Sequence, residues 1–291
     1  MRKKYRIGTD LGGTKIFSGM IDDDGKVVGK PAELPTNAAE PADAIAGRII
    51  RTIELAAGKS MAGVRGIGIG SPGPLNFKDG IILSPGNLPT MHNYNLKSKV
   101  QEYFNVPVNV NNDANCFVLG ESCYGEVKGA KYAFGVTLGT GFGSGIVIDG
   151  RIYSGSTDTA AEIDPSPYLD GNLEDYISGR GVVKMYRNRN SAEKTPKEIA
   201  DAARKGDRQS IETWEEFGMH LGKALSYAVN LLDPEVIIIG GSLGNAYDVF
   251  SGKMIETLNN YICPIPRSRL KVVKAKLGGN AGFIGAACLM V

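Results

Sequence analysis

Residues Ile7–Asp22 read IGTDLGGTKIFSGMID, and residues Phe134–Asp149 read FGVTLGTGFGSGIVID. Aligned end to end, they match Gly8 with Gly135, Leu11 with Leu138, Gly12 with Gly139, Ile21 with Ile148 and Asp22 with Asp149. Each stretch is an apolar run, a Gly/Thr-rich turn, a second apolar run and an acidic stop. That pattern predicts a β-hairpin whose tip lets backbone N–H groups approach a ligand closely. Two such hairpins, one in each half of the chain, can hold one polyphosphate from both sides. The repeat therefore points to a two-domain, nucleotide-using α/β protein.

Outward from the first hairpin, a third apolar run, Lys26–Val28, follows the turn Asp22-Asp23-Asp24-Gly25. Residues 40–58 place Ile45, Ile49, Ile53 and Ala57 at helical spacing. Val64–Ile69 is strand-like and ends in Gly70-Ser71-Pro72-Gly73-Pro74. Residues 96–104 predict a short helix, and Val106–Val110 predicts a strand that delivers Asn111-Asn112-Asp113 to a loop. After the second hairpin come a polar stretch, Gly155–Asp175, and a helical pattern from Trp214 to Leu232 that Asp233-Pro234 stops. A buried strand, Val236–Ile239, then turns out through Gly240-Gly241-Ser242, and the chain closes on a small-residue helix, Ala281–Val291. This order predicts α/β layers with mixed sheets. The expected domains are residues 1–113, completed by the helix 281–291, and residues 114–280, with a hinge near residues 112–116.

The 291 residues suffice for two cores. With 42% hydrophobic and 22% charged residues, the composition is that of a soluble globular protein. Lys+Arg 33 against Asp+Glu 31 leaves no basic excess to favour nucleic acid as a partner. No signal-peptide core follows Met1-Arg2-Lys3-Lys4, and apolar runs such as Val236–Ile239 are too short to span a membrane. A cytoplasmic protein is expected. The 4 cysteines, Cys116, Cys123, Cys263 and Cys288, form no CxxC pair and read as reduced thiols. The 2 histidines, His92 and His220, are too few for a His-rich metal site.

The first tip, Asp10-Leu11-Gly12-Gly13-Thr14-Lys15, offers a carboxylate, two glycines, a hydroxyl and an ammonium in succession. Gly12 and Gly13 expose N–H groups to phosphate oxygens, Thr14 adds a donor and Lys15 a positive charge. Asp10 can hold Mg²⁺ directly or through water. An ordinary glycine hairpin with an exposed lysine is the bland alternative, and the second copy, with Gly139, Thr140 and Gly141 at its tip, weighs against it. Thr137 stands where the first copy has Asp10, so the metal-side carboxylate belongs to the first half alone. Gly240-Gly241 leaves a surface without side chains where an adenine or ribose could lie; a close-packed turn explains it equally well. Asn111-Asn112-Asp113-Ala114-Asn115 sets a carboxylate among amides just after a strand. Asp113 can accept the proton of a sugar hydroxyl as that hydroxyl attacks phosphorus. The alternative is an Asx-rich turn that caps the next helix. Gly68-Ile69-Gly70-Ser71-Pro72-Gly73 matches GxGxxG, but Pro72 and Pro74 break the helix that a dinucleotide turn must open. No P-loop exists, because Thr14 stands where that motif needs lysine.

In order along nearly the whole chain, these segments resemble the ROK family (repressor, open reading frame, kinase) of sugar kinases, within the actin/hexokinase-like superfamily. DLGGTK at Asp10–Lys15 and LGTGFGSG at Leu138–Gly145 resemble its two phosphate motifs. GIGSPGPL at Gly68–Leu75 and GNLP at Gly86–Pro89 resemble its sugar-side loops, which bring in Gly73 and Asn87. NNDAN at Asn111–Asn115 resembles its catalytic segment, PEVIIIGG at Pro234–Gly241 its adenosine segment, and NAGFIGAA at Asn280–Ala287 its closing helix. The resemblance implies two ribonuclease H-like α/β domains with mixed sheets and a cleft between them. It implies ATP- and Mg²⁺-dependent phosphorylation of a hexose, glucose at the 6-hydroxyl foremost. Fructose, mannose, allose or an N-acetylhexosamine are alternative acceptors, and a non-catalytic sugar- or nucleotide-binding protein is the alternative class. Asp113 is then the general base, Asn112 a sugar ligand and Asp10 the residue that orders Mg²⁺ or its water shell. Gly12, Gly13, Thr14, Gly139, Thr140 and Gly141 cradle phosphates, and Gly240 and Gly241 flank the nucleoside. Sugar binding is expected to close the domains and expel water. A homodimer is expected by resemblance, and a DNA-binding regulator is disfavoured because the first hairpin begins so near Met1.

One region departs from the family pattern. Most members carry a GEIGH segment followed by a cysteine cluster that binds zinc. Here Ala161-Glu162-Ile163-Asp164-Pro165 stands at the first and no cysteines occupy the second. No zinc is expected. Glu162 and Glu174 stand at the positions of the family's two sugar-binding glutamates; exposed loop glutamates are the alternative reading. Pro165 replaces the histidine, which removes one expected sugar contact and bears on which hexose is bound. Polyphosphate-using glucokinases of the family also lack the cysteine cluster but keep the histidine, so polyphosphate stays open as donor.

Overall fold

The computed structural model describes residues 4–58, 61–190 and 192–291. In chain order the elements are β1 (Tyr5–Leu11), β2 (Lys15–Ile21), β3 (Val27–Pro35), α1 (Ala42–Ala57), β4 (Val64–Ser71), β5 (Leu75–Asn76), β6 (Ile81–Ile82), β7 (Tyr94–Asn95), α2 (Leu96–Phe104), β8 (Val108–Asn112) and α3 (Asp113–Tyr124). There follow β9 (Tyr132–Leu138), β10 (Phe142–Ile148), β11 (Arg151–Ile152), β12 (Pro167–Tyr168), β13 (Gly171–Asn172), α4 (Glu174–Ile177), α5 (Gly179–Arg189), α6 (Pro196–Arg204) and α7 (Arg208–Leu232). The chain ends with β14 (Val236–Gly240), a 3₁₀ turn (Ser242–Ala246), α8 (Tyr247–Tyr261), α9 (Pro264–Arg269), β15 (Lys271–Lys274) and α10 (Ala281–Cys288).

Two compact units arise from this order. One comprises the described residues of Met1–Gly129, Gly145–Ala160 and Lys276–Val291; the other comprises Ala130–Ser144 and Ala161–Ala275. The first carries a sheet of order β3-β2-β1-β4-β8, and the second sheet has the order β11-β10-β9-β14-β15. In the first sheet β1 runs antiparallel to β2 and parallel to β4, and β4 runs parallel to β8. In the second, β14 runs parallel to both β9 and β15. Each sheet is thus mixed, as the repeated hairpin and the crossovers predict.

Differences from the sequence reading have local causes. Strand β3 extends to Pro35, well past the short run Lys26–Val28, because pairing with β2 continues from Ile21↔Val27 to Lys15↔Pro35 along a largely exposed edge that no apolar pattern marks. Strand β8 starts at Val108 and ends at Asn112, a register fixed by Ile67↔Val108 and Ser71↔Asn112. Helix α7 begins before Trp214, at Arg208, because the Asp207 carboxylate accepts the Ser210 N–H at 3.0 Å as its cap. The polar stretch Gly155–Asp175 contains the small hairpin β12–β13 and the start of α4. Helices α5 and α6 lie in a basic, polar segment that the apolar pattern did not mark.

The first core packs Ile7, Leu11 and Ile16 of the hairpin against Ile45, Ile49 and Ile53 of α1, with Ile67, Ile69, Val108 and Val110 from the parallel strands. On the opposite face lies α10, and glycines let its backbone touch the sheet. A Cβ on Gly8 would fall 1.7 Å from the Phe283 carbonyl oxygen, and one on Gly68 1.7 Å from that of Ala286. Against α3 the fit is as close: a Cβ on Gly285 would fall 1.6 Å from the Cys116 carbonyl oxygen. Buried Glu121 of α3 fastens the approach to α10, its carboxylate accepting the N–H groups of Lys276 at 2.9 Å, Leu277 at 2.8 Å and Glu126 at 2.9 Å. In the second unit Trp214 of α7 stacks with Phe250 of α8, and Phe217 meets both rings edge to face.

His220 of α7 is buried, with Nδ1 2.9 Å from the Tyr168 hydroxyl and its ring against Tyr176. Burial lowers its pKa, and Glu216 one turn earlier only partly opposes this. The unfolded chain therefore binds this proton at a higher pH than the folded chain. The stability that neutral His220 contributes is full above about pH 6.5 and is lost as pH falls through the lower folded value. His220→Gln should flatten that acid limb: between pH 7.5 and pH 5.5 its urea midpoint should fall less than that of the wild type. Equal falls would remove His220 from the account. Gly285→Ala should lower the urea midpoint despite a helix-propensity gain of about 1 kcal/mol, because the methyl meets backbone that cannot yield. Gly47→Ala in α1, with nothing within 4 Å of the added Cβ, should raise the midpoint.

Candidate active site

Strand β1 ends its run with Asp10 paired to Phe17 and Leu11 to Ile16. The Gly12 N–H then donates to the Lys15 carbonyl at 2.9 Å and closes the tip. Buried Thr36 supports this tip from below, its hydroxyl donating to the Gly12 carbonyl at 2.6 Å and its N–H to the Thr14 carbonyl at 2.9 Å. Gly13 lies against the sugar-side loop, where a Cβ would stand 3.2 Å from Asn87. Lys15 gives its ammonium to Glu33 on β3 at 2.7 Å, and both side chains are about half exposed. The Thr14 side chain is exposed, and Gly73 lies at the rim of the loop after β4.

Strand β8 delivers Asn111, Asn112 and Asp113 to the N-terminus of α3. The Asn112 side chain is the cap, accepting the N–H groups of Ala114 at 2.8 Å and Asn115 at 3.1 Å. The Asx-turn reading thus applies to Asn112, and Asp113 occupies the first turn of the helix. Asn111 steadies the segment by accepting from the Asn112 N–H at 2.8 Å and the Asn115 side-chain amide at 3.1 Å. One Asp113 oxygen accepts the Ala114 N–H at 2.8 Å, and burial raises its pKa against that bond. Asp10 is pushed up to about 7, by burial first and then by the charge of Asp113, with Lys15 opposing. A half-buried carboxylate raised by the charge of a second one beside it is an arrangement expected where a cation or a proton-bearing substrate is to be received. Gly282 of α10 allows this, since a Cβ there would fall 2.4 Å from Asp10 Oδ2.

In the second unit the tip Gly139–Gly141 closes by the Gly139 N–H donating to the Gly141 carbonyl at 2.9 Å. Its neighbours hold it from two directions. The Gly179 N–H at the start of α5 donates to the Gly139 carbonyl at 2.8 Å. Glu174 accepts the Phe142 N–H at 2.9 Å with Oε2, and its Oε1 is ion-paired with Arg180. A Cβ on Gly141 would fall 2.5 Å from Glu174 Oε2, so a side chain there would displace the carboxylate that holds the tip. Gly240 pairs with Thr137, and Gly241, at φ +79°, turns so tightly over the end of β9 that a Cβ would meet the Leu138 carbonyl at 2.3 Å. The Gly240-Gly241 turn and the Gly139–Gly141 tip thereby adjoin.

Beside them opens a cavity of about 830 Å³, bounded by Gly139, Thr140, α5, α6 and the 3₁₀ turn after Gly241. Arg180, Lys184, Arg187, Lys197 and Arg204 give it a basic wall. Trp214, whose indole N–H has no hydrogen-bond partner, closes its floor. The size, the basic wall and the apolar floor suit a phosphorylated aromatic ligand such as a nucleotide.

Residues 6–291 match the ROK family. The chain belongs to the ROK family. It is 31% identical over 315 residues to the glucokinase of Thermotoga maritima, with 100% of this chain and 98% of that protein covered. It is 31% identical over 307 residues to the N-acetyl-D-glucosamine kinase of Vibrio cholerae, covering 98% and 99%. A ROK family glucokinase from Streptomyces griseus, solved in complex with glucose and AMPPNP, has a TM-score of 0.86 at 29% identity, with 98% of each chain covered. The fold is accordingly the actin/hexokinase-like fold of ROK sugar kinases.

Against the usual ROK pattern, the loop Ala161–Pro165 is rebuilt. Pro165 and the residues from Ser166 to Asn172 carry no thiol or imidazole, so this segment does not fit zinc. Asp164, which sequence reading passed over, is half-buried beside both glutamates: burial raises its pKa, Glu174 adds to the rise, and a hydrogen bond with Glu162 opposes it. Glu162 itself is exposed. Thr36, Arg180 and the α5–α6 wall were also missed. Thr36 lies on the far side of β3, and the wall is assembled from segments whose polar sequence gives no sign of a shared cavity. Removing the Glu174 carboxylate should loosen the second tip. In Glu174→Ala the Phe142 amide should exchange hydrogen on the order of tenfold faster or more, the cost of a hydrogen bond to a charged group. An unchanged exchange rate would show that Glu174 does not hold the hairpin.

Proposed function

We propose that this chain is an ATP-dependent hexose kinase that phosphorylates glucose at its 6-hydroxyl, with Asp113 as general base. The observation that carries the reading is the pair Asp10–Asp113, two half-buried carboxylates at the end of β1 and just after β8, with the glycine tip Gly12-Gly13 following Asp10 closely in the chain. Sequence kinship supports the class: the relatives named above are kinases of glucose and of N-acetyl-D-glucosamine.

In this reading Asp113 accepts the proton of the 6-hydroxyl as that oxygen attacks the terminal phosphorus and the ADP oxygen leaves. Catalysis otherwise is positioning and charge stabilisation. Asn112 and Asn87 take sugar hydroxyls, with Gly73 lining their loop. The tip Gly12-Gly13-Thr14 of the first unit and the tip Gly139-Thr140-Gly141 of the second are each assigned as donors to phosphate oxygens. Gly240 and Gly241 bound the nucleoside end of the basic cavity.

Asp10 fits Mg²⁺. Its carboxylate is half-buried, its pKa is pushed up to about 7, and the nearby ammonium of Lys15 is committed to Glu33. Among the described residues no cluster of three or more His, Cys, Asp or Glu forms a cage. That suits a metal that takes one carboxylate, water and phosphate oxygens. When bound, the ion would supply positive charge to the donor's phosphates.

Pro165 in place of the family's histidine favours a second reading, in which the acceptor is a hexose other than glucose. A coupled assay of ADP release with Mg²⁺-ATP across glucose, mannose, fructose, allose, glucosamine, N-acetylglucosamine and N-acetylmannosamine separates the two. Glucose should give the highest kcat/KM. Asp113→Asn should lower kcat ~10²–10⁴-fold or more with the fold intact. Full activity in that variant would sink the assignment of the base, and ATP binding without turnover of any sugar would leave a binding protein.

A further inference from the structure

Arg180 sits at the second position of α5, in the wall of the basic cavity and one residue beyond Gly179, whose N–H holds the Gly139 carbonyl. Its guanidinium is paired on one side with Glu174 Oε1, while its side chain remains 65% exposed. A guanidinium has five N–H donors in a planar fork, and one carboxylate oxygen leaves most of them unused. Gly139 and Thr140, the backbone that the proposed function assigns to phosphate, line the same cavity. Among the other basic groups of the wall, Arg204 is held by Asp248 and Asp201, and Lys197 by Asp201. Arg180 differs in that its carboxylate partner is the residue that fixes the phosphate tip.

The geometry points to Arg180 as a ligand of the donor's phosphate groups, one that exchanges its Glu174 partner for phosphate oxygens when the nucleotide binds. This inference rests on the cavity being the nucleotide site. Phosphate carries more charge than a carboxylate and offers bidentate acceptors, so the exchange is favourable once the nucleotide is in place. It also relieves Glu174 of its cation while Oε2 keeps the Phe142 N–H. Donor binding thereby changes the charge state of the rebuilt loop, where Asp164 feels the Glu174 carboxylate. Arg180 would act on the ground state as much as on the transition state, so its loss should appear mainly in KM for ATP.

Titration calorimetry with AMPPNP and with adenosine, in magnesium-containing buffer, tests this on the full chain. Arg180→Ala should weaken AMPPNP binding on the order of tenfold or more, the loss of charge-assisted bonds, and leave adenosine binding within about twofold of the wild type. Arg180→Lys should fall between. Glu174→Gln keeps an acceptor for the Phe142 N–H but removes the competing charge, so it should bind AMPPNP as tightly as the wild type or more tightly. If Arg180→Ala and Glu174→Gln lose AMPPNP affinity alike, the ion pair only braces the tip, and the inference is overturned. Unchanged AMPPNP binding in Arg180→Ala also overturns it, while wild-type protein that binds neither probe would instead overturn the reading of the cavity as a nucleotide site.

Discussion

Backbone-to-backbone contact between α10 and the elements beneath it governs the first half of the site. A helix normally rests on a sheet through its side chains. Here glycines on both partners remove them, and the carbonyls of Phe283 and Ala286 lie where the Cβ atoms of Gly8 and Gly68 would be. Gly285 does the same against α3. The gain is positional. With no flexible side chains in between, β1 and α3 take fixed places relative to one helix, and these are the two elements that carry Asp10 and Asp113. Gly282 completes the arrangement by leaving space for the Asp10 carboxylate itself. Beside these contacts Phe283 and Ile284 of α10 are buried in an apolar cluster with Ile21, and polar bonds add to that hold. The three N–H groups that Glu121 accepts are suited to that: a buried carboxylate is costly unless its oxygens are satisfied, and here Oε1 is satisfied by Lys276 and Leu277, in the segment that leads into α10, and Oε2 by Glu126.

The same rigidity makes the carboxylate pair sustainable. Burial and the charge of Asp113 both favour protonation of Asp10, and Lys15, itself bound to Glu33, opposes them. A flexible site would let the two side chains swing apart into solvent. A site framed by backbone keeps them in place at some expense to stability, and local conflict of this kind is expected where function overrides folding preference.

What could be read in the sequence follows from the range of the interactions. Both glycine tips, the Asn-Asn-Asp-Ala-Asn segment and the Gly240-Gly241 turn announce themselves because their conformations depend on a few adjacent residues. The end of β8 at Asn112 depends on a strand register set by a distant partner, and the start of α7 at Arg208 on the adjacent Asp207 cap, which an apolar pattern does not mark. Thr36, Glu121 and Arg180 were invisible for a stronger reason: each is an ordinary polar residue in its own segment. Their importance comes only from a hydrogen bond to Gly12, to the Lys276–Leu277 backbone or to Glu174. Even Asp113 shows the limit. Its segment reads as a base with a helix cap as the alternative, and the fold gives the cap to Asn112 and leaves Asp113 in the first turn.

The rebuilt loop shows how a metal-free segment can still fix Glu174. Where relatives are expected to use a cysteine cluster, this chain closes the loop with its own backbone. The Ile163 N–H donates to Ala161 at 2.8 Å, Ser166 to Ile163 at 3.1 Å, Leu173 to Ser166 at 3.0 Å and Glu174 to Asp164 at 3.2 Å. The β12–β13 hairpin bridges the middle, and the Ser144 hydroxyl bonds the Ala161 carbonyl. Ala161 takes a positive φ of +72°, which an alanine adopts only when its surroundings impose it. Pro165 then falls between two of these bonds, where its missing N–H leaves no donor unpaired and its ring limits the turn. A proline that would be useless as a metal ligand is thus well placed in a loop held by hydrogen bonds, and the residue that looks like a loss in the sequence is consistent with the way the loop is built.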